Sequence, residues 1–264
     1  MKAFTEGGKR LDSAYNFDFL YAPRLTAALV RASLSQWSGE PGEGWPSWAF
    51  SNHDAPRAVT RWTLDGDMAR ASRLNLLLLL SLRGDPIIYQ GEELGLPQGE
   101  VAFEDLQDPE AITNWPHTLG RDGARTPMPW AANAPQAGFS SANRTWLKLD
   151  PVHTGFAVDR QAEDPASTLA YARALLAARR GAPALVSGAI TLLDSPEDIL
   201  AFLREDEAGQ VLCVFNLGEG PGHWSAPQGL GALTLIATES HVGRGTVPEA
   251  LAPGTGYWAR AQGS

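Results

Sequence analysis

The apolar run from Leu74 to Leu82, broken only by Asn75 and Ser81, constrains this chain more than any other segment. It is far short of the roughly 20 residues that a membrane span needs, so it reads as a helix buried inside a water-soluble fold. Asp65 or Asp67 is placed to cap that helix, which runs through Met68, Leu74 and Leu78 to Gly84, with Pro86 as its stop. On either side lies a short apolar run that ends in polar residues. Trp45-Pro46-Ser47-Trp48-Ala49-Phe50-Ser51 leads into Asn52-His53-Asp54, and Pro86-Ile87-Ile88-Tyr89 leads into Gln90-Gly91-Glu92-Glu93. Strand, helix and strand in this order make a βαβ unit with parallel pairing.

A chain of 264 residues that is 44% hydrophobic and 19% charged has enough apolar material for a sizeable core in one or two domains. Its formal net charge of -9 argues against a nucleic-acid partner, which needs clustered Lys and Arg. A neutral or cationic small molecule suits it better. The only cysteine, Cys213, lies in the apolar run Val211 to Phe215 and reads as a small core hydrophobe. Met1 to Gly8 lacks the apolar stretch of a signal peptide, so the expectation is a cytoplasmic protein with no membrane partner.

Residues 84 to 120 carry eight carboxylates and no Lys or Arg, and they read as a long loop with a solvated acidic surface. Their spacing is not the alternating one of a calcium loop, and no metal or cofactor is expected. A second helix is expected from Asp164-Pro165 through Leu169, Arg173 and Leu176 to Gly181. After Pro183 the pattern turns to short strands, at 189–193, 199–203, 211–217, 233–236 and Tyr257-Trp258, with turn residues such as Glu207-Ala208-Gly209-Gln210 between them. These imply a small antiparallel β-sandwich over residues 184–264, following an α/β segment over residues 1–183.

Polar clusters at the C-terminal ends of successive parallel strands are where α/β barrels assemble active sites, and Asn52-His53-Asp54 and Gln90-Gly91-Glu92 are two such clusters. Each has the alternative of a hydrogen-bonded strand end or a helix cap. Trp37, Trp45, Trp48, Trp62, Trp115 and Trp130 fall near them, and core packing competes with sugar stacking for each.

Three ordered motifs make the reading more specific. Phe50-Ser51-Asn52-His53-Asp54-Ala55-Pro56-Arg57 resembles the fourth signature region of the α-amylase clan. Ile87-Ile88-Tyr89-Gln90-Gly91-Glu92-Glu93-Leu94-Gly95 resembles its eighth barrel strand, and Gly120-Arg121-Asp122-Gly123-Ala124-Arg125-Thr126-Pro127-Met128-Pro129-Trp130 its α-glucosidase and oligo-1,6-glucosidase branch. Gly8 to Phe17 is similar to the sixth strand region of that branch. The resemblance implies the C-terminal part of a (β/α)₈ TIM barrel, strands six to eight, followed by the sandwich. About 183 residues precede the sandwich, whereas a whole barrel takes roughly 250.

The resemblance also implies roles. Asp54 corresponds to the carboxylate that stabilises the transition state of a retaining α-glucosidase, and His53 and Arg121 to substrate-binding residues. The family's arginine at the Arg121 position commonly pairs with an acid from the first strand's loop. The nucleophile, in a Gly-x-Arg-x-Asp motif after the fourth strand, and the general acid, after the fifth, are expected to have no counterpart here, leaving the chain inactive alone. The expected ligand is a small α-glucoside or oligosaccharide, and the expected partner the N-terminal half of the barrel. Two alternatives remain: a glucosyltransferase or sucrose-cleaving relative, and a non-catalytic scaffold such as the heavy chains of amino-acid transporters.

Overall fold

The computed structural model describes residues 1–38, 44–118 and 120–262. Three short strands, β1 (Ala14–Asn16), β2 (Pro46–Ala49) and β3 (Asp85–Ile87), form a parallel sheet in the order β1-β2-β3. Tyr15 lies opposite Ser47, and Ala49 opposite Ile87. Helix α1 (Ala27–Ser35) joins β1 to β2, with the Thr26 hydroxyl accepting from the Leu29 amide. Helices α2 (Ala58–Trp62) and α3 (Met68–Leu79) join β2 to β3, which gives the βαβ unit read in the sequence.

Of the two aspartates proposed as the cap of α3, Asp67 serves, its carboxylate accepting from the Arg70 amide at 3.0 Å, while Asp65 pairs with the Arg70 side chain. Trp48 points from β2 toward the helices, where Phe19 and Trp37 meet its ring edge-on. Alternation along the strands turns Tyr15, Ser47, Ala49 and Ile87 to the opposite face. That face is only partly covered: Ala49 packs with Leu20 and Ala55, whereas Ile87 is 37% exposed and the neighbouring Phe17 50%. Among the described residues β1 and β3 each pair on one side only.

The stretch 84–120 is more structured than its composition suggests. It contains 3₁₀ turns and helix α4 (Pro109–Asn114), begun by Asp108 with Pro109 in the first turn. Helix α5 (Val158–Glu163) was not expected, and α6 (Thr168–Arg180) starts later than the Asp164-Pro165 signal implied. The Asp164 carboxylate accepts from the Ala166 amide and closes a local turn, so the cap passes to Ser167, whose hydroxyl accepts from Ala170. Short acceptors of this kind serve turns as readily as helix starts. Helix α7 (Pro183–Ser187) then leads into the β region.

There β4 (Ala189–Leu192), β5 (Ile199–Asp206), β6 (Gly209–Asn216), β7 (Gly222–His223), β8 (Leu233–Thr238), β9 (Ala250–Leu251) and β10 (Thr255–Ala261) follow. Five of them make an antiparallel sheet ordered β4-β5-β6-β10-β8, and β7 and β9 form a two-stranded ribbon. In place of two comparable sheets there is one sheet with unlike covers. Leu200, Phe202, Cys213, Phe215 and Trp258 share a core with α3, α6 and Trp48. Ala201, Leu212, Val214 and Tyr257 pack on the other face beneath Trp224 and Leu251. Burial on both faces explains why β5 and β6 read as unbroken apolar runs instead of alternating ones. Cys213 sits within this core, where burial pushes its thiol well above the usual range.

The carbonyls just past α3 gather side chains from three elements. Trp48 of β2 donates to Arg83 O at 2.7 Å, Arg179 of α6 to Leu80 O at 3.0 Å, and Arg204 of β5 to Ser81 O at 2.6 Å. These oxygens lie at a helix C-terminus, which lacks internal donors and favours cations. Gly84, at φ +136°, lets the chain turn there, since a Cβ would come within 2.4 Å of Pro46 O. Arg204 is fully buried and, among the described residues, forms no salt bridge. It also donates to Leu185 O and Gly188 O at 3.1 and 2.9 Å, and burial pushes its guanidinium down to about 10, still charged at neutral pH. Arg204→Met should therefore destabilise the protein by about 3–5 kcal/mol, since it strands several buried carbonyls, and Arg204→Lys should recover only part of the loss. Urea unfolding followed by circular dichroism checks both.

Candidate functional site

Asp54 stands at the C-terminal end of β2 because of the turn that precedes α2. The Asn52 side-chain carbonyl accepts from the amides of Asp54 and Ala55 at 2.8 and 2.9 Å, which folds the chain back and lifts the Asp54 carboxylate above the strand end. Ser51 fastens the base of this turn. Its hydroxyl accepts from the Ala58 amide at 2.8 Å and donates to Glu92 Oε1 at 2.7 Å, linking the ends of β2 and β3.

Three basic side chains meet Asp54. Arg125 Nη2 donates to Oδ1 at 2.9 Å while its Nε donates to His53 O at 2.7 Å. Arg121 Nη1 lies 3.5 Å from the same Oδ1, and His53 Nε2 is 3.3 Å from Oδ2. Arg121 is anchored from behind by Asp108, whose side chain is completely buried and accepts from its Nη2 at 2.7 Å, Nε at 3.0 Å and backbone amide at 2.8 Å. The Arg121 guanidinium holds the Asp108 carboxyl well below the usual carboxylate range, and Asp108 in turn holds Arg121 more firmly protonated. Gly120, at φ +59°, brings this loop against α4, where a Cβ would meet Ala111 at 2.4 Å.

A second layer supports the first. Arg57 is buried under the site, donating to Gln90 O at 2.6 Å and Ala124 O at 3.3 Å with its guanidinium over the Tyr89 ring. Gly91, at φ +90°, leaves room for it, because a Cβ there would lie 2.9 Å from Arg57 Nη1. Glu92 also accepts from the Tyr89 amide at 2.9 Å, and burial pushes its carboxyl up to about 7 against the lowering effect of Ser51, Tyr89 and Arg57. His153, fully buried, joins the flanking segments by facing Thr126 and Pro97 O, and burial lowers its pKa.

The structure thus brings His53, Asp54 and Arg121 into one cluster. Gln90-Gly91-Glu92 lies beneath it, with Glu92 turned into the support of the turn. Two members were not singled out from the sequence. Arg125 was inside a quoted motif, and its place four residues after Arg121 was the available signal. Asp108 belongs to the acidic stretch expected to be solvated, yet it is buried, as is Asp122 just beyond it. The Asp122 carboxylate accepts from the amides of Gln107 and Asp108 at 2.6 and 2.8 Å. Arg121 thus takes a carboxylate from this same loop.

The Gly-x-Arg-x-Asp pattern, expected to have no counterpart, does occur once, at Gly8-Lys9-Arg10-Leu11-Asp12. Asp12 is exposed ahead of β1, at the end of the parallel sheet opposite Asp54, and Arg10 pairs with Glu6. Of the tryptophans near the site, Trp37, Trp48 and Trp62 are core residues, whereas Trp115 and Trp130 are exposed. Among the described residues no group of three or more His, Cys, Asp or Glu side chains is arranged to hold a metal ion, and no helix is long and apolar enough to cross a membrane. Chemically, the cluster is a carboxylate at an open strand end, ringed by fixed hydrogen-bond donors, a geometry suited to a polyhydroxylated ligand.

Comparison with known proteins gives a consistent picture. Residues 9–188 match the family model of the α-amylase catalytic domain. A probable α-glucosidase of Rhizobium meliloti (strain 1021) is 44% identical over 218 residues, covering 82% of this chain and 39% of the relative. A probable oligo-1,6-glucosidase of Bacillus subtilis (strain 168) is 30% identical, covering 76% and 39%. The chain thus spans about two fifths of the length of the curated relatives it matches. The solved structure of the α-glucosyl transfer enzyme XgtA superposes with a TM-score of 0.87 at 42% identity, covering 98% of this chain and 48% of the enzyme. The trehalulose synthase MutB of Pseudomonas mesoacidophila MX-45 superposes at 0.78 with 26% identity, covering 96% and 51%.

Two carboxylates shifted in opposite directions give the site a pH signature. Asp108 in the fold lies below its ordinary 3.8, so its stabilisation is complete above that value and is lost as pH falls through the lower folded one. Glu92 lies at about 7 against 4.5, so the advantage of its protonated form is complete below 4.5 and is lost as pH rises toward 7. In urea unfolding, the deficit of Asp108→Asn relative to wild type should shrink in acid, and Glu92→Gln should gain on wild type between about pH 5 and about pH 8.

Proposed function

The chain belongs to the α-amylase family, and from that footing we propose that it carries the sugar-holding side of a retaining α-glucosidase site acting on terminal α-linked glucose of short oligosaccharides. The observation that supports this reading best is the Asp54 carboxylate, raised at the end of β2 and held by Arg125 at 2.9 Å, with Arg121 anchored beside it by buried Asp108. In a retaining glycosidase two carboxylates make and break the covalent intermediate. A third group that accepts from the sugar hydroxyls strengthens those bonds as positive charge develops on the ring, and so favours the transition state over the ground state. Asp54 takes that third role. His53 offers a ring nitrogen to the same hydroxyls, and Arg121 reaches the glucose at the non-reducing end.

The nucleophile and acid roles fall outside this chain in the proposal. Asp108 is consumed by Arg121, Glu92 lies beneath the turn, and Asp12 is at the far end of the sheet. The partly covered face of β1 to β3 and, among the described residues, their unpaired edges fit further barrel strands, which would bring both carboxylates opposite Asp54. Transfer of an α-glucosyl group, the activity in the name of XgtA, would use the same residues, with an acceptor in place of water. A non-catalytic scaffold would have no use for so fully supported a carboxylate.

The test is complementation. Co-expressed with the N-terminal part of the Rhizobium relative, the chain should release p-nitrophenol from p-nitrophenyl α-glucoside, and by itself it should release none. In the complemented assembly Asp54→Asn should lower kcat on the order of a thousandfold with little change in KM. A raised KM at unchanged kcat would make Asp54 a plain binding residue, and release by the isolated chain would overturn the assignment of the two missing roles.

A further inference from the structure

Away from Asp54, the segment ahead of α4 and the loop that runs from the 3₁₀ turn at Pro135–Gly138 to Leu149 form a groove of about 560 Å³ with Trp146 on its wall. Trp146 is 70% exposed, more than any other large hydrophobic side chain described. An indole left in water forfeits the burial that usually places it, so an isolated flat face in a groove marks a stacking surface. Apart from Leu149, the other lining groups are polar and balanced in charge: Glu104 and Asp105 against Arg144 and Lys148, with the side chains of Gln107, Gln136 and Asn143 between them.

These walls are held before any ligand arrives. Lys148 Nζ lies 3.1 Å from Asp105 Oδ2, and Gln136 Nε2 donates to Asn143 O at 2.9 Å. Gln136 and Ala137 sit in the left-handed region at φ +50° and +47°, a conformation that non-glycine residues adopt at a cost. The Gln107 backbone amide donates to the buried Asp122 carboxylate, and its side-chain Nε2 donates to Asp105 O at 3.4 Å. A charge-balanced groove attracts neither a strong anion nor a strong cation. One aromatic face, several donors and acceptors, and a volume in the range of small-ligand sites suit a neutral polyhydroxylated molecule.

We infer that this groove is a second saccharide-binding site, with Trp146 stacking on a pyranose ring and the surrounding amides and charged groups hydrogen-bonding its hydroxyls. It is independent of the role given to Asp54, because none of the side chains around Asp54 lines it. Such a site retains a glucan while chemistry proceeds elsewhere, raising the local concentration of chain ends.

The experiment titrates the chain with isomaltotriose and, separately, maltotriose while the tryptophan indole resonances are followed by ¹⁵N nuclear magnetic resonance. At least one sugar should shift the Trp146 indole signal saturably. Trp146→Ala should weaken binding about tenfold or more, and Trp146→Phe, which keeps a flat ring, should restore part of it. Asp54→Asn should leave the Trp146 response unchanged, which separates this site from the catalytic reading. The inference is overturned if neither sugar shifts Trp146, if Trp146→Ala binds as well as wild type, or if Asp54→Asn abolishes the response.

Discussion

The C-terminal half of α3 is apolar on every side and has to be covered on every side, and the rest of this molecule is arranged around meeting that demand. Its leucines from 74 to 80 are buried, with the parallel sheet and Trp48 on one flank and α6 and the five-stranded sheet on others. Leucine burial supplies most of the driving force, and it is indifferent to direction. Direction comes from the end of the helix, where Trp48, Arg179 and Arg204 each donate to a carbonyl just past the last turn. Nonpolar burial thus brings the two halves together, and three charged or polar donors set how they sit.

The same division recurs at the site. Asp54 is raised by a turn built by its neighbours Asn52 and Ser51, but its orientation depends on arginines reaching it from a loop far along the chain. Placing Arg121 on Asp108 spends a buried carboxylate to hold one guanidinium still. Half-exposed long side chains lose rotamer freedom when they bind a ligand, and an arginine already anchored loses less. Glu92 does comparable service below, tying the ends of β2 and β3 so that a polar turn stands on a floor that does not shift.

The partly covered face of the parallel sheet gives the family relationship its physical content. Closed barrels have no edges, whereas here, among the described residues, β1 and β3 each pair on one side only, and Ile87 and Phe17 are partly exposed. A sheet of this kind is complementary to further strands of the same architecture. The carbohydrate chemistry proposed for Asp54 needs what those strands would carry.

Much of this was legible in the sequence because it depends on neighbours along the chain. The βαβ unit, the Asp67 cap, the turn at Asn52 and the strands of the β region are set by local patterns of apolar residues, caps and turn formers. His53, Asp54 and Arg121 could be picked out because their motifs are short and continuous. What the sequence did not show were partnerships between distant segments. Asp108 in an acidic stretch looks like solvent-facing charge until α4 and Gly120 bring Arg121 to it. A serine at Ser167 competes with Asp164 as a cap, and only packing decides between them. The Gly-x-Arg-x-Asp spacing at Gly8 to Asp12 carries chemistry only at a strand's C-terminal end, and the fold puts it at the other end. Likewise the short strands and turn residues after Pro183 suggested a small sandwich, and the tertiary structure packs one face of its five-stranded sheet against α3 and α6. Hydrophobic pattern states how much surface must be buried, and the folded chain decides against what.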